Sequence, residues 1–503
     1  MDELMCDARP SPKVPLPLRD ATLGHLPDHV LGLSYDRAVL SPGIVHIGLG
    51  NFHRAHQAWY IHRLMQQGLA QDWAILGAGI RAGDADQRTR LLQQDCLTTL
   101  IELAPTGRTA EICGSMIGFL PVESGNQALI AQMADPGTRI VSLTITEGGY
   151  FTDPATGGFD ASHPDVLHDI EHPDAPRTAF GAMVAALRLR RMRGAGPFTG
   201  MSCDNLQGNG AILRRAVVTL ARLTDPDLAD WIDASCSFPN SMVDCIVPAT
   251  SAAEIALARD LGIEDAAPVT HEDFRQWVIE DTFCAGRPDL ARVGVTLSDR
   301  VHDYELQKIR ILNGGHQVIA NAGDLLGIKT IDGAMDHPLI GALLRKVVLQ
   351  EIAPHVPSVP SSTAQQYFDL IERRFRNAAI GDTTRRVAFD GSSRHPGFIV
   401  PSIRDGLARD MSVDGLALVS AIWARYCQGH RDDGSVIAAN DPNWTMLQTQ
   451  ARAAMTDPIR WIEMQQFYGD LANNALFAER FIRWFKEISD TGIESAIQNY
   501  LSR

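Results

Sequence analysis

The chain has 503 residues, and 45 Lys and Arg stand against 60 Asp and Glu, a formal charge of −15 with histidine neutral. That acidic excess argues against a nucleic-acid binder, which needs clustered cations to neutralise phosphates. Hydrophobic residues at 45% and charged residues at 21% exclude a mainly disordered chain.

At the N-terminus, MDELMCDARPSPKVPLPLRD carries early acids and prolines and no apolar signal core. No apolar run reaches the ~18 residues that suggest a membrane span. The expectation is a cytoplasmic protein with no membrane partner. The cysteines (Cys6, Cys96, Cys113, Cys203, Cys236, Cys245, Cys284 and Cys427) form no C-x-x-C pair and read as free, largely buried thiols. Histidines gather at His46, His53, His56 and His62, but without H-E-x-x-H, and no metal site is assigned.

In chain order, short apolar runs alternate with helical stretches through the first part of the chain. The runs are Gly43–Gly48, Trp73–Ile80, Arg139–Thr146 and Pro197–Ser202; helices are expected at Ala55–Gly68 and Arg177–Arg193. This alternation predicts βαβ units and a parallel sheet, hence an α/β fold. Past residue 300 the strands fade, and helices are expected at Ile340–His355, Thr363–Asn377, Val413–Cys427 and Ala475–Leu501. The boundary falls near Leu297–Asp303, giving domains 1–297 and 298–503.

The first chemical signal is GIVHIGLGNFHRAH, where an apolar strand runs into Gly48-Leu49-Gly50 and a helical stretch follows. Glycines there permit a tight turn and bring backbone N–H groups to a pyrophosphate. The third glycine of the usual pattern is His53, so a plain β–α turn fits as well. After the second strand comes Asp84, placed either to bind the adenosine ribose and repel a 2′-phosphate or simply as a solvated loop acid.

The densest constellation is Asp303–His316, DYELQKIRILNGGH. On a regular helix at ~100° per residue, Glu305, Asn313 and His316 fall within about 140° of Lys308. Gly314 and Gly315 each cost a helix ~1 kcal/mol, so close approach of a ligand is expected to explain them. A solvated polar face would give the same pattern. Chemically, a neutral lysine beside amide donors suits alcohol oxidation without zinc. Its pKa would have to fall through desolvation or nearby positive charge.

Taken together, GLGNFHRAHQAWY, LTITEGGY, MSCDNLQGNG, FPNSMVD and KIRILNGGH resemble the polyol-specific long-chain dehydrogenases, the mannitol 2-dehydrogenase family. The resemblance runs in family order from about residue 43 to 400. It implies a Rossmann-type N-terminal domain, a mainly α-helical C-terminal domain, NAD as cofactor, a polyol/ketose substrate and a monomer. It implies Lys308 as general base, Asn205 and Asn313 as donors to the reacting oxygen, His316 beside them and Glu305 as proton relay. Asp244 and Glu147 match acids near the nicotinamide and substrate, and Arg386 and Arg394 match cationic groups that grip substrate hydroxyls. Gly48, Gly50, Asn51, Phe52 and Arg54 fall in the cofactor turn, and Asp84 matches the acid that selects NAD.

Two residues depart from the pattern, Cys245 in place of a frequent arginine and Arg394 in place of a frequent lysine, while Gly148 stands where uronate reductases tend to carry a lysine. The stretch NGGHQVIANAGDLLG leans towards relatives acting on arabinitol or sorbitol. The expected reaction is D-mannitol with NAD to D-fructose and NADH. D-arabinitol or D-sorbitol oxidation and fructuronate- or tagaturonate-type reduction are the alternatives, and a sensor without turnover is the reading outside enzymes.

Overall fold

Val45 and Ile47 on one face of GIVHIG and Ile44 on the other are all 1% exposed or less, the signature of a strand covered on both sides. This strand, β1 (Pro42–Ile47), lies at the centre of a five-stranded sheet. With β2 (Ala74–Ala78), β3 (Met116–Phe119), β4 (Ile140–Leu143) and β5 (Thr199–Ser202), the order is β3-β2-β1-β4-β5. Every pairing is parallel, with Ile44 opposite both Ile75 and Ile140. Strand order reverses between β1 and β4, which opens a crevice at the carboxyl ends of the strands.

The computed structural model describes residues 14–153 and 156–503. Cys6 and most of the acid- and proline-rich N-terminal stretch lie outside the described residues. The chain divides into a first unit ending at Val301 and a second, His302–Arg503. Among the described residues, no helix is long and apolar enough to cross a membrane.

In the first unit the helix expected at Ala55–Gly68 starts earlier and is broken. It forms α1 (Asn51–Ala55) and α2 (Gln57–Met65), separated by His56 at φ −118 and ψ −91. Next come α3 (Asp84–Leu92) and α4 (Ala179–Arg193). Thr178 caps α4 by accepting the Gly181 N–H, and Gly194 ends it at φ 66, so both stops are local. Besides a two-stranded pairing of Leu16–Pro17 with Ile263–Glu264, two further sheets escaped the sequence reading. One has four strands in the order Val269–Glu272, Thr98–Ala104, Gly107–Cys113, Val30–Leu31; the other has Ser241–Asp244, Gln276–Ile279 and Thr296–Leu297.

The second unit is helical, around a core that includes the buried Trp423, Trp461 and Trp484. The helix expected at Ile340–His355 is α-helical only over Pro338–Val347. It continues as a π turn, Val348–Ile352, and a 3-10 turn, Ala353–His355. That irregularity presents Glu351 to the helix Asp414–Tyr426, whose preceding residue, Val413, has no polar side chain to cap it. The Glu351 carboxylate accepts the N–H groups of Gly415 and Leu416, each at 2.9 Å, and so supplies the missing cap. The single helix expected at Ala475–Leu501 is two, Ala475–Thr491 and Ile493–Leu501, divided at Gly492 with φ 85.

Candidate active site

The carboxyl edge of the parallel sheet holds a cavity of about 310 Å3, lined among others by Gly48, Gly50, Asn51, Arg81, Asp84, Thr144 and Thr146. Two glycines make it, for different reasons. Gly48 has φ 97, and a Cβ there would stand 2.0 Å from the carbonyl oxygen of Thr144. At Gly50 a Cβ would meet no heavy atom within 4 Å, so the missing side chain leaves open space in the cavity. A cradle that a methyl group would fill fits the close approach of a pyrophosphate.

The turn is braced from below by residues the sequence offered without a role. His46 reaches Ser142 Oγ at 2.8 Å with one ring nitrogen and Thr144 Oγ1 at 2.9 Å with the other. His53, at the usual third-glycine position, stacks on His46 with ring centroids 3.5 Å apart. Burial pulls His46 down to about 3 and His53 well below its ordinary value, so both are neutral rings used for packing.

Asn51 lines the cavity while its amide donates to Pro248 O and Thr250 Oγ1, both at 2.9 Å. Arg54 does not reach the cavity wall. It is 2% exposed and donates to Asn51 Oδ1 at 2.7 Å and to the carbonyl of Ala267, which makes it a brace of the turn. Phe52 is also absent from the wall; it is half-buried and stacks on His56 at 4.8 Å. Asp84 does line the cavity, and its Oδ2 accepts the N–H groups of Ile80 and Arg81, each at 2.9 Å. One carboxylate therefore both shapes the loop after β2 and puts negative charge at the cavity.

Other expected residues of the first unit lie on separate elements. Glu147 is exposed, in the 3-10 turn Glu147–Tyr150 that follows β4. Asn205 is exposed just after β5, and Asp244 is 5% exposed at the end of its strand, opposite Gln276. Cys245 follows it, half-buried.

In the second unit the regular helix assumed for Asp303–His316 is replaced by three segments. An α-helix, Val301–Gln307, passes into a π-helix, Lys308–Asn313, and then into the α-helix Gly314–Leu325. The Gly314 N–H donates to Ile309 O, five residues back, as π geometry requires. Wider turns bring Lys308 and Asn313 closer to one face than the ~140° separation of a regular helix. Arg310 anchors the π segment, donating to Ser402 Oγ at 2.9 Å and Asp405 Oδ2 at 3.1 Å.

Packing bears on Gly315 of the pair more than on Gly314, where an added Cβ would make an ordinary contact. A Cβ on Gly314 would touch Phe398 O at 3.4 Å, and one on Gly315 would crowd Leu344 Cδ1 at 3.3 Å. Lys308 is buried, and Glu305, 5% exposed, has Oε2 3.5 Å from Nδ1 of the exposed His302. His316 stacks on Phe375 at 4.2 Å, and its buried Nε2 has no hydrogen-bond partner among the described residues. Burial first, opposed by Asp382 and reinforced by Arg386, Arg374 and Arg394, brings His316 down to about 3. Arg386 is exposed and held by both carboxylate oxygens of Asp382. Arg394 donates to Val387 O at 2.7 Å.

A parallel sheet ordered 3-2-1-4-5, with a glycine turn and a cavity at its carboxyl edge, defines a Rossmann-type dinucleotide-binding protein. Residues 42–292 match the mannitol dehydrogenase Rossmann domain, and residues 300–489 match the mannitol dehydrogenase C-terminal domain. The chain belongs to the mannitol dehydrogenase family. It is 55% identical over 469 residues to the mannitol 2-dehydrogenase of Cereibacter sphaeroides, covering 93% of this chain and 98% of that one. Mannitol 2-dehydrogenase of Aspergillus terreus is 39% identical, over 94% and 96%.

Among solved structures, the Pseudomonas fluorescens mannitol 2-dehydrogenase ternary complex with NAD and D-mannitol is similar with a TM-score of 0.86. It is 39% identical and covers 97% of this chain and 100% of that one. A substrate-free D-sorbitol dehydrogenase gives 0.88 at 34% identity, over 96% and 100%.

Proposed function

We propose that this NAD-dependent polyol dehydrogenase oxidises D-mannitol at C2 to D-fructose, with Lys308 as general base. The observation that carries the substrate is the 55% identity, across nearly the whole of both chains, to a mannitol 2-dehydrogenase. The similarity to a D-sorbitol dehydrogenase supports a second reading, in which D-sorbitol or D-arabinitol is preferred. Gly148 weighs against a sugar-acid reductase, because it offers no cation to a substrate carboxylate.

Gly48 and Gly50 would admit the cofactor's pyrophosphate, and Asp84 would face its ribose. The chemistry NAD supplies when bound is acceptance of a hydride from the carbinol carbon. The rest falls to side chains. Neutral Lys308 takes the hydroxyl proton as the carbon–hydrogen bond breaks. Asn205 and Asn313 donate to the oxygen as it becomes alkoxide-like, which stabilises charge where it develops. Glu305 passes the proton outward, and its pairing with the exposed His302 supports a route to solvent. His316, neutral and with Nε2 unpartnered among the described residues, accepts a hydrogen bond from a substrate hydroxyl. Arg386 and Arg394, with Asp244 and Glu147, bind the remaining hydroxyls.

The seven cysteines of the described residues are all free, which supports a reducing compartment, the cytoplasm. A monomer without nucleic-acid partners completes this reading. The test is NADH formation, followed by absorbance, across D-mannitol, D-sorbitol and D-arabinitol. The highest kcat/KM on D-mannitol is expected; oxidation of D-sorbitol or D-arabinitol in its place would favour the second reading.

A further inference from the structure

One wall of the cavity is held in a conformation that its own sequence resists. Thr146 has φ 66 and ψ 162, a backbone region essentially reserved for glycine. A β-branched residue there is a genuine outlier. Thr146 lines the cavity, and Glu147 follows it directly. Gly148 and Gly149 stand two and three residues on, so the permissive residues are near but not at the strained position.

One side chain gathers this loop, beside the Gly149 N–H, which donates to Thr146 O at 3.0 Å. Asp204, 8% exposed, stands just beyond the end of β5. Its Oδ1 accepts the Thr146 N–H at 2.9 Å, and its Oδ2 accepts the Ile145 N–H at 3.0 Å and the Tyr150 hydroxyl at 2.7 Å. Tyr150 is itself tied to Ser202 Oγ on β5 at 2.5 Å. All three donors belong to the loop between Ile145 and Tyr150, and all converge on one buried carboxylate. Burial pushes this carboxyl up, while the three donors work to keep it ionised.

We propose that Asp204 is a positioning residue for the cofactor: it holds Thr146 in its glycine-type backbone state and thereby sets the cavity wall Thr144–Thr146. The role rests on the reading of this cavity as the NAD site. It requires no contact between Asp204 and the substrate. A carboxylate can take both N–H groups at once, whereas an amide turns an NH2 towards one of them. Asp204→Asn should therefore release the loop without changing the size of the side chain.

The test measures NADH binding by fluorescence titration, and kcat and KM for NAD, in four proteins: wild type, Asp204→Asn, and Asp204→Asn combined with Thr146→Gly or with Thr146→Ala. Asp204→Asn should raise the NADH Kd and the KM for NAD about tenfold, the scale on which a strained residue is stabilised. The kcat at saturating NAD should stay within about threefold. Adding Thr146→Gly should restore most of the affinity, because glycine adopts this backbone state without strain. Adding Thr146→Ala should not, because alanine keeps the strain and loses only the side chain.

Equal recovery with alanine and glycine, or none with either, would overturn the role. So would an unchanged Kd in Asp204→Asn while the wild type binds NADH. A wild type that fails to bind NADH would overturn the reading of the cavity itself. If Asp204→Asn does not fold, the same comparison is made on recovery of NADH-binding protein. Recovery with glycine but not alanine supports the role, and no difference between them contradicts it.

Discussion

A Cβ placed on Gly48 would lie 2.0 Å from the carbonyl oxygen of Thr144, so β1 and β4 leave room for a hydrogen atom and nothing larger. Two residues on, the same turn is open: a Cβ placed on Gly50 would meet nothing within 4 Å. Two glycines of one motif thus serve different ends. Gly48 lets the strands close, and Gly50 leaves space for the ligand.

The two alanine variants should separate. Gly48→Ala must move backbone and adopt φ 97, so Tm should fall by ~2–4 °C for each kcal/mol of strain, and NADH binding with it. Gly50→Ala should leave Tm unchanged while weakening NADH by roughly 5- to 150-fold, the ~1–3 kcal/mol of an overfilled space. Thermal melts beside NADH titrations check both. Equal effects on Tm would contradict the distinction.

Asp84 has two tasks that substitution can divide. Asp84→Asn keeps an oxygen for the Ile80 and Arg81 N–H groups but removes the charge. The kcat/KM ratio of NADP to NAD should rise on the order of tenfold, the effect of ~1–2 kcal/mol of charge repulsion. Asp84→Ala should shift the ratio similarly but also raise the KM for both cofactors, since the loop loses its brace. A wild type that already prefers NADP would overturn the assignment.

With a lysine as base, the reaction needs no Lewis acid. Exhaustive chelation should leave kcat unchanged, and a loss that added zinc restores would contradict the lysine mechanism.

His395 gives a pH test of packing. It is fully buried, stacks on Trp423 at 4.6 Å and shares its Nε2 with Ser420 Oγ at 3.0 Å. Burial lowers it from 6.5 to about 3. Between these values the unfolded chain binds a proton that the folded chain does not, so stability rises with pH across that window and is lost as pH falls through it. His395→Asn removes one such site. The stability difference from wild type should change by ~1.4 kcal/mol per pH unit below about pH 6, as urea unfolding at several pH values would show. Parallel curves would contradict a neutral buried imidazole.

Continuous apolar runs made the parallel sheet legible, because strands buried on both faces carry their own signal in GIVHIG and its partners. The strand at Thr98–Ala104 was not, since its polar Thr98 and Thr99 are buried and the alternation that marks a half-exposed strand is lost. His53 was visible as a departure from the glycine pattern, but its reason, the ring of His46, lies in a strand that only the fold stacks against it. The polar face around Lys308 was legible as composition. Its geometry was not, because the π segment depends on Arg310 reaching Ser402 and Asp405, some ninety residues on. Asp204 went unremarked beside Asn205, as its value lies in three partners distant in sequence.

Lys308→Ala is the most direct test of the mechanism. kcat for polyol oxidation should fall by at least the ~10²–10⁴-fold that general-base catalysis contributes, with NADH binding unchanged as the control for folding. In the wild type the rate should fall as pH drops and the lysine becomes charged. A small external amine should restore part of the rate to the alanine variant. A near-normal kcat in Lys308→Ala, with NADH still bound, would remove Lys308 from the mechanism.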